Sequence, residues 1–365
     1  MPTITYTPIS FRNYDSGDYY LKKDPYHIAS YLLTKGRIAA GFNCPFNISG
    51  DNCAFLFVNV DDIVAARLQC FGTRFYARGQ ILPAGTASAL EAAEPLRYLG
   101  VGAEPLLAFT MSEEYPVNVV AGLSEMALPL YKKLRYHILA FPRIMQLRNV
   151  RCMLESKGVR GNLLRVCSKI LNVPLGWLIS VSDRKGKRLL REYQVEKVDR
   201  IPAWIDEIVL NDGHTYMEVH DHVWLQWNLD NNFYEQPQNI QSFYIVKKSE
   251  EPIAFFMTKE RFREQAGGVL RDVLIGSIVE WGIRDESLLS EEDIYRMATL
   301  TFSPQVDIIE TATNNLQVVR AMKRCGFIPH GYAHIALKDK TKQYKDASDI
   351  NLWRVRYGYA DVILT

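Results

Sequence analysis

EAAEPLRYLGVGAEPLLAF, residues 91 to 109, places two glycines two apart, Gly100 and Gly102, directly ahead of an apolar run with helical spacing. A basic residue, Arg97, stands three positions before the first glycine. Glycine has no Cβ, so backbone N–H groups at such a turn stay unobstructed. The first N–H groups of a helix lack intrahelical partners and sit at the positive end of its dipole, which makes a glycine turn feeding a helix an anion site. Two common versions of the device are excluded. A dinucleotide fingerprint needs a third glycine three residues on, where this chain has Pro105. A P-loop needs Gly-Lys-Ser/Thr, which is absent. What remains is Arg-x-x-Gly-x-Gly, a form suited to a pyrophosphate.

Outward from the loop, the first half reads as mixed α and β. The spacing predicts a helix over 26–42, and strands over 54–60 and 63–71 joined through Asp61-Asp62 as a hairpin. A further strand falls within 74–92, broken by Pro83 and Gly85. After the loop come an apolar helix at 103–112, a short buried strand at 117–123, a helix at 124–134 and a strand at 136–147. Residues 150–192 are basic and helical in pattern and end in SDRKGKR, which reads as a solvated turn. The second half repeats the plan: a helix near 202–213, a strand, polar turn and strand over 242–262, and a strand at 270–282. A capping-box-like Ser-x-x-Asp opens a helix at 290–302, followed by a strand at 306–312, a helix at 314–326 and a closing strand at 327–338. One supersecondary plan used twice sets the domain count at two: 1–150, a helical connection 151–192, and 193–365.

The loop and its surroundings resemble the acyl-CoA loop of the GNAT superfamily of acyltransferases. In that family a helix, a strand, and a helix ending in a Tyr-x-x-Leu-Gly-Phe-like stretch follow the loop. Here that stretch is Tyr131-Lys132-Lys133-Leu134-Arg135-Tyr136, with Arg135 at the glycine position. In the second half NNLQVVRAMKRCGF supplies Asn315 and Gly326-Phe327, but has Met322 at the tyrosine position, and GIRDESLLS, where a phosphate loop belongs, has no Gly-x-Gly. The resemblance therefore implies an α+β, mixed α/β fold of two GNAT-like domains. Each has a mixed, mostly antiparallel central sheet flanked by helices, and only the first keeps the cofactor signature.

On that resemblance the co-substrate is acetyl-CoA or another acyl-CoA. Its pyrophosphate would sit on the N–H groups of Leu99, Gly100, Val101, Gly102 and Ala103, with Arg97 adding charge, and the pantetheine arm would lie between the loop-bearing strand and the strand at 117–123. A small-molecule amine attacks the thioester directly. Tyr131 takes the family tyrosine's role of protonating the departing thiolate, although a tyrosine on the apolar face of LPLYKKL also suits a core. The ammonium must lose a proton first, and Glu91 and Glu94 are the nearest general-base candidates, with solvated strand-end charges as the competing reading.

Other features bound the function. A formal charge of +2 disfavours nucleic acid or an anionic membrane as a general partner. The six cysteines, Cys44, Cys53, Cys70, Cys152, Cys167 and Cys325, form no Cys-x-x-Cys pair or zinc spacing, and read as reduced thiols of a cytoplasmic protein. No apolar core of signal-peptide length opens the chain and no run of about 18 apolar residues stands out, so a membrane-spanning role is not expected. His214, His220 and His222 invite a metal reading, since His-x-His on a strand puts two rings on one face. No third ligand is spaced for it and the resemblance needs no metal, so hydrogen-bonded histidines are expected. VWLQWNL at 223–229 reads as core and helix-packing aromatics. An aminoacyl transferase built from paired GNAT-like domains and a non-catalytic CoA-binding protein remain as alternatives.

Overall fold

The computed structural model describes residues 2–11, 23–48, 54–232, 237–266 and 270–358. Cys53 and much of the N-terminal stretch read for a targeting signal lie outside them. Of the other five cysteines four are buried, and only Cys167 is part-exposed.

Thirteen strands form one sheet. In the first half they are β1 (Ile4–Ser10), β2 (Ala54–Val60), β3 (Ile63–Ala77), β4 (Gln80–Ala92), β5 (Val117–Ala121) and β6 (His137–Leu147). The second half contributes β7 (Gln194–Val198), β8 (Tyr216–Glu218), β9 (Ile240–Lys248), β10 (Glu251–Ala266), β11 (Leu270–Ile283), β12 (Ile308–Ala312) and β13 (Ile328–Asp339). Their order is β1-β2-β3-β4-β5-β13-β6-β12-β11-β10-β9-β7, with β8 beside β3. With β7, β9, β10, β11, β12 and β13 taken as the counterparts of β1 to β6, the order is a palindrome. Two pairings, β4 with β5 and β11 with β12, are parallel, and the others are antiparallel. The mixed, mostly antiparallel sheet flanked by helices is the one expected, used twice.

The halves are joined more closely than the sequence repeat suggests. β13 pairs with β5 and β6, and β6 pairs with β12, so each half lends its last strand to the other. A boundary at residue 150 or 193 therefore divides the repeat but not the sheet. The exchange carries a buried ion-pair cluster: Arg143 of β6 reaches Glu310 of β12 at 2.8 Å, Arg261 of β10 pairs with the same carboxylate, and the Arg143 guanidinium also donates to the Tyr357 hydroxyl at 3.1 Å.

Turn chemistry explains the hairpins. Asp61-Asp62 and Ser249-Glu250 both adopt positive φ, 48° and 69°, then 49° and 71°, the geometry of two-residue turns matched to strand twist. A third such turn, Arg78-Gly79 (51° and 86°), joins β3 to β4. The break expected at Pro83 and Gly85 is absent, and β4 runs through both. Pro83 lies one residue before the ladder to β5 begins at Ala84, so its missing N–H is tolerated there.

Two other expectations are corrected. The stretch 26–42 is two helices, Ile28–Leu32 and Lys35–Phe42, the second capped by Thr34. SDRKGKR is not a turn: it lies inside the 32-residue helix Gly161–Glu192. It stays helical because it docks on the helix Glu291–Ala298. A Cβ at Gly186 would stand 2.6 Å from the Arg296 carbonyl oxygen, Lys185 pairs with Asp293 at 2.7 Å, and Asp183 pairs with Arg148 at 3.2 Å.

Burial alone raises the proton affinity of Glu310, but the Arg261 and Arg143 guanidinium groups outweigh it and hold the carboxyl down at about 2, against an ordinary 4.5. A depressed carboxyl contributes stability above its unfolded pKa and loses it as pH falls through the folded one. Glu310→Gln, which leaves two buried guanidinium groups unneutralised, is expected to cost about 3 kcal/mol in urea unfolding at pH 7. It should also remove part of the wild-type loss of stability between about pH 4.5 and pH 2.

Candidate active site

β4 and β5 are hydrogen-bonded only at Ala84–Val117 and Gly85–Asn118, and beyond these residues they part. β4 also carries a bulge there. Ser88 faces Gln69 and Glu91 faces Arg67, so Ala89 and Leu90 together oppose the single residue Leu68. Ala89 adopts φ 56° within it. Arg67, almost fully buried, holds the bulge: its Nε donates to the Ala89 carbonyl at 3.2 Å, one Nη to the Ile28 carbonyl at 3.1 Å, and the other pairs with Glu91. Nothing in the sequence had marked Arg67.

The opening holds two adjoining cavities. The outer, of about 490 Å³, is lined among others by Arg97, Gly100, Gly102, Ala103 and Lys133. The inner, of about 120 Å³, lies between residues 87–90 of β4 and residues 120–124 at the end of β5 and just beyond it, and Tyr131 lines it. Leu90, Ser124 and Ala127 line both, so the two form one cleft.

The glycine loop forms the outer rim. Glu94–Leu99 is a 3-10 turn closed by Gly100 at φ 74°, a left-handed conformation that favours glycine, and the helix Ala103–Met111 starts after Gly102. Val101 and Leu99, the apolar residues around the glycine, tie the loop down: Val101 is wholly buried against Val58, Val60, Ala65 and Ala66, with Leu99 partly buried beside it. The Gly100 N–H donates to the Arg97 carbonyl and the Ala103 N–H to the Gly100 carbonyl, so both are committed within the loop. Among the described residues the Val101 and Gly102 N–H groups donate to no backbone acceptor, which leaves these two of the expected cradle of residues 99–103 open to an anion, while Gly100 and Ala103 are not. Arg97 uses its Nε on the Ala92 carbonyl at 3.0 Å, which fixes the side chain beside the cavity it lines. Lys133 at the end of the helix Leu128–Lys133 supplies a second cation, unmarked in the sequence because solvated lysines at helix ends are common.

Tyr131 is 3% exposed and meets Tyr136 edge to face at 5.0 Å. Tyr136 is buried behind it: its hydroxyl shares a hydrogen bond with Thr110 at 2.9 Å and accepts from Asn118 at 3.3 Å. Burial pushes its pKa up to about 12, against the opposing pull of those partners, so it stays neutral. Of the two carboxylates, Glu91 lines the outer cavity but is paired with Arg67, while Glu94 is exposed in the 3-10 turn outside both cavity linings.

The turn after Tyr131 explains the arginine at a glycine position. Arg135 adopts φ 59°, and the Tyr136 N–H reaches back to the Tyr131 carbonyl at 3.1 Å. In the second half Gly326 has φ 79° and the Phe327 N–H reaches the Met322 carbonyl at 3.1 Å, the same helix ending. The second half keeps the bulge as well, with an extra residue at Val279 of β11. Its opening, however, is filled: Trp281 and Tyr295, ring centroids 4.8 Å apart, lie in one buried cluster with Ile309 and Met322.

The three histidines singled out in the sequence each pair with carboxylates, His214 with Asp212 at 3.0 Å among them. His220 does not share a strand with His222; it precedes the helix His222–Asp230. Its buried ring stacks on Trp224 at 3.6 Å and bridges Glu280 and Glu218, and its pKa is raised because those two carboxylates outweigh the opposing effect of burial. His222 pairs with Asp206 at 2.7 Å. Asp206, Asp221 and His222 place three potential ligand atoms near one another, but Arg74 pairs with Asp221 at 2.6 Å and supplies a competing cation. VWLQWNL lies in that helix, with Trp224 and Trp227 in the core shared by both halves.

No protein-family model matches the sequence, and no curated protein matches it. Solved structures do match. A GCN5-related N-acetyltransferase from Anabaena variabilis aligns with a TM-score of 0.53 at 12% identity over 93% of this chain and 73% of its own. Saccharomyces cerevisiae N-myristoyltransferase with bound myristoyl-CoA aligns with a TM-score of 0.58 at 10% identity, over 92% of this chain and 79% of its own. The fold is that of the GNAT acyltransferases. An Enterococcus faecalis protein described as a probable N-acyltransferase aligns similarly, with a TM-score of 0.50 at 12% identity over 93% and 73% of the two chains. At such identity the likeness concerns the GNAT fold, and the chemistry must be argued from the cleft.

Arg135→Gly, which relieves a left-handed arginine exposed to solvent, is expected to stabilise the protein by about 0.5–1 kcal/mol. The reciprocal Gly326→Arg should destabilise by a similar amount. Paired thermal melts check both, with opposite shifts of roughly 1–2 °C expected.

Proposed function

We propose that the protein is an acyl-CoA-dependent N-acyltransferase, most simply an acetyltransferase acting on a small-molecule amine. The observation that carries the reading is the cleft between β4 and β5, with an anion-receptive glycine loop at its mouth and Tyr131 at its inner end. In this reading the donor's pyrophosphate lies on the Val101 and Gly102 N–H groups, with Arg97 and Lys133 adding charge. The pantetheine arm enters where the two strands part, and the acyl carbonyl meets backbone freed at the β4 bulge. The inner cavity of about 120 Å³ supports a short acyl group over a long one.

The amine nitrogen attacks the thioester carbon, the carbon–sulfur bond breaks, Tyr131 delivers its proton to the departing thiolate, and the proton that the nitrogen sheds as the amide forms returns to the Tyr131 oxygen by way of water. The ammonium's proton leaves before attack, through Glu91 or bulk water, and Glu91 acts only if its pairing with Arg67 loosens. Positioning accounts for most of the acceleration, up to ~7–11 kcal/mol in favourable cases, with backbone donors to the carbonyl adding to it. The filled second opening supports a structural part for the second half. The anion-receptive glycine loop favours a CoA donor over an aminoacyl donor, and Tyr131 at the inner end favours an enzyme over a binding protein.

Calorimetry with acetyl-CoA on the wild type and on Gly102→Glu tests the donor site. Gly102 has an ordinary φ of −68°, so the backbone admits a side chain there; its Cβ meets the Ala92 methyl at 3.2 Å, which must give by a few tenths of an ångström, and the charge is brought to the cavity. The mutant is expected to bind at least about tenfold more weakly, a loss of about 1.4 kcal/mol; equal binding refutes the loop assignment. Tyr131→Phe should keep donor affinity and lower amine-dependent thiol release by about 10²-fold or more. Donor binding without thiol release across a broad amine panel would instead identify a binding protein.

A further inference from the structure

The helix Gly161–Glu192 carries an 18-residue window of mean hydropathy 1.3, of which only 6% is buried. That window was not apparent in the sequence, where Arg165 and Lys169 interrupt it. Six of its eight large exposed apolar residues form a stripe, Leu163, Val166, Ile170, Val173, Trp177 and Val181, spaced three and four apart along one side, with Leu171 and Leu178 beside it. Val173 is 73% and Trp177 66% exposed.

The opposite side docks on the protein. The Val150 N–H donates to Asn172 at 3.0 Å, the Ser182 hydroxyl to the Cys325 carbonyl at 2.8 Å, and Gly186 and Leu189 are buried. A helix held along one side by the folded body cannot cross a bilayer, although its length and composition suffice. Charge then discriminates between occupants of the free side. Residues 156–182 contain Lys157, Arg160, Arg165 and Lys169 and no Asp or Glu, and Arg184 and Arg188 follow on the stripe's side of the helix. A second copy of this face would bring like charges together. An anionic surface complements them, and an apolar stripe flanked by basic residues with an exposed tryptophan is the composition of helices that lie in a membrane interface.

We propose that the outer face of this helix binds an anionic lipid bilayer in the plane of the membrane. The inference is independent of the acyltransferase reading. It reverses the expectation from net charge, because a total of +2 conceals a local cluster.

The test uses the full chain with phosphatidylcholine vesicles, with and without phosphatidylglycerol. Of the six tryptophans Trp177 alone is exposed, so quenching of emission by brominated phospholipid reports on this face. The expected result is sedimentation with phosphatidylglycerol vesicles, quenching, and weakening with salt. Arg184→Gln/Arg188→Gln should bind roughly tenfold more weakly or worse. Val173→Glu should abolish binding, and a melt unchanged from the wild type shows that it still folds, since the side chain is exposed. Absence of vesicle binding at low salt overturns the proposal. So does binding that Val173→Glu leaves intact, or a wild-type dimer that Val173→Glu splits into monomers without any lipid binding.

Discussion

The exchange of β6 and β13 is the constraint on which the rest of the molecule depends. β5 and β6 run parallel with β13 antiparallel between them, and β12 lies on the far side of β6. Neither half can complete its sheet alone, because its own penultimate strand pairs with the other's last. The consequence extends to the cores. One cluster unites Phe55, Phe57 and Phe71 of the first half with Phe243, Phe255 and Val279 of the second. The charged cluster of Arg143, Arg261 and Glu310 spans the exchanged strands. Buried ion pairs add little net stability against apolar packing, but they penalise any register that separates them. Here they fix which residue of β6 lies beside which residue of β12.

The exchange also gives the palindrome two equivalent openings, and the side chains decide which one remains open. Both halves have a parallel pair that parts after a few residues, a bulge beside it, and a helix ending in a left-handed residue. In the first, small residues, Ala87, Ala89 and Gly102, leave space. In the second, Trp281 and Tyr295 occupy it and Met322 replaces the tyrosine. A cavity is thus retained where the loop can receive an anion and removed where it cannot. Close packing is the default of a protein interior, so a cleft kept open at a strand parting is the feature that calls for explanation.

Local chemistry was legible in the sequence and long-range pairing was not. Asp61-Asp62, the glycine loop, the capping box at Ser290 and the helix ending at Gly326 are set by neighbours a few residues away, and each is found where expected. Pro83 misled because its effect depends on a strand, β5, that joins only one residue later. Ser182–Arg188 misled because a turn-like composition was overridden by docking against the helix Glu291–Ala298. The exchange left no local mark at all: nothing in β6 or β13 tells which strand it will lie beside. In the cleft, Gly100, Gly102 and Tyr131 were legible by pattern. Arg67 and Lys133 were not, since their parts come from residues brought together only by folding.

The long helix shows how far topology alone accounts for a sequence. β6 and β7 run parallel with four strands between them, and a connection between parallel strands needs a crossover, normally a helix lying on the sheet's face. This explains why residues 161–192 are helical and why Asn172, Ser182, Gly186 and Leu189 face inward. It does not explain the outer side. A crossover helix meets water there and is ordinarily polar, as the helix Leu316–Lys323 is with Gln317, Arg320 and Lys323 facing out. From Leu163 to Val181 the crossover helix has the opposite character, and ordering apolar side chains in water brings no folding gain. The stripe therefore answers to something outside the fold, and the basic residues around it say what charge that surroundings must carry.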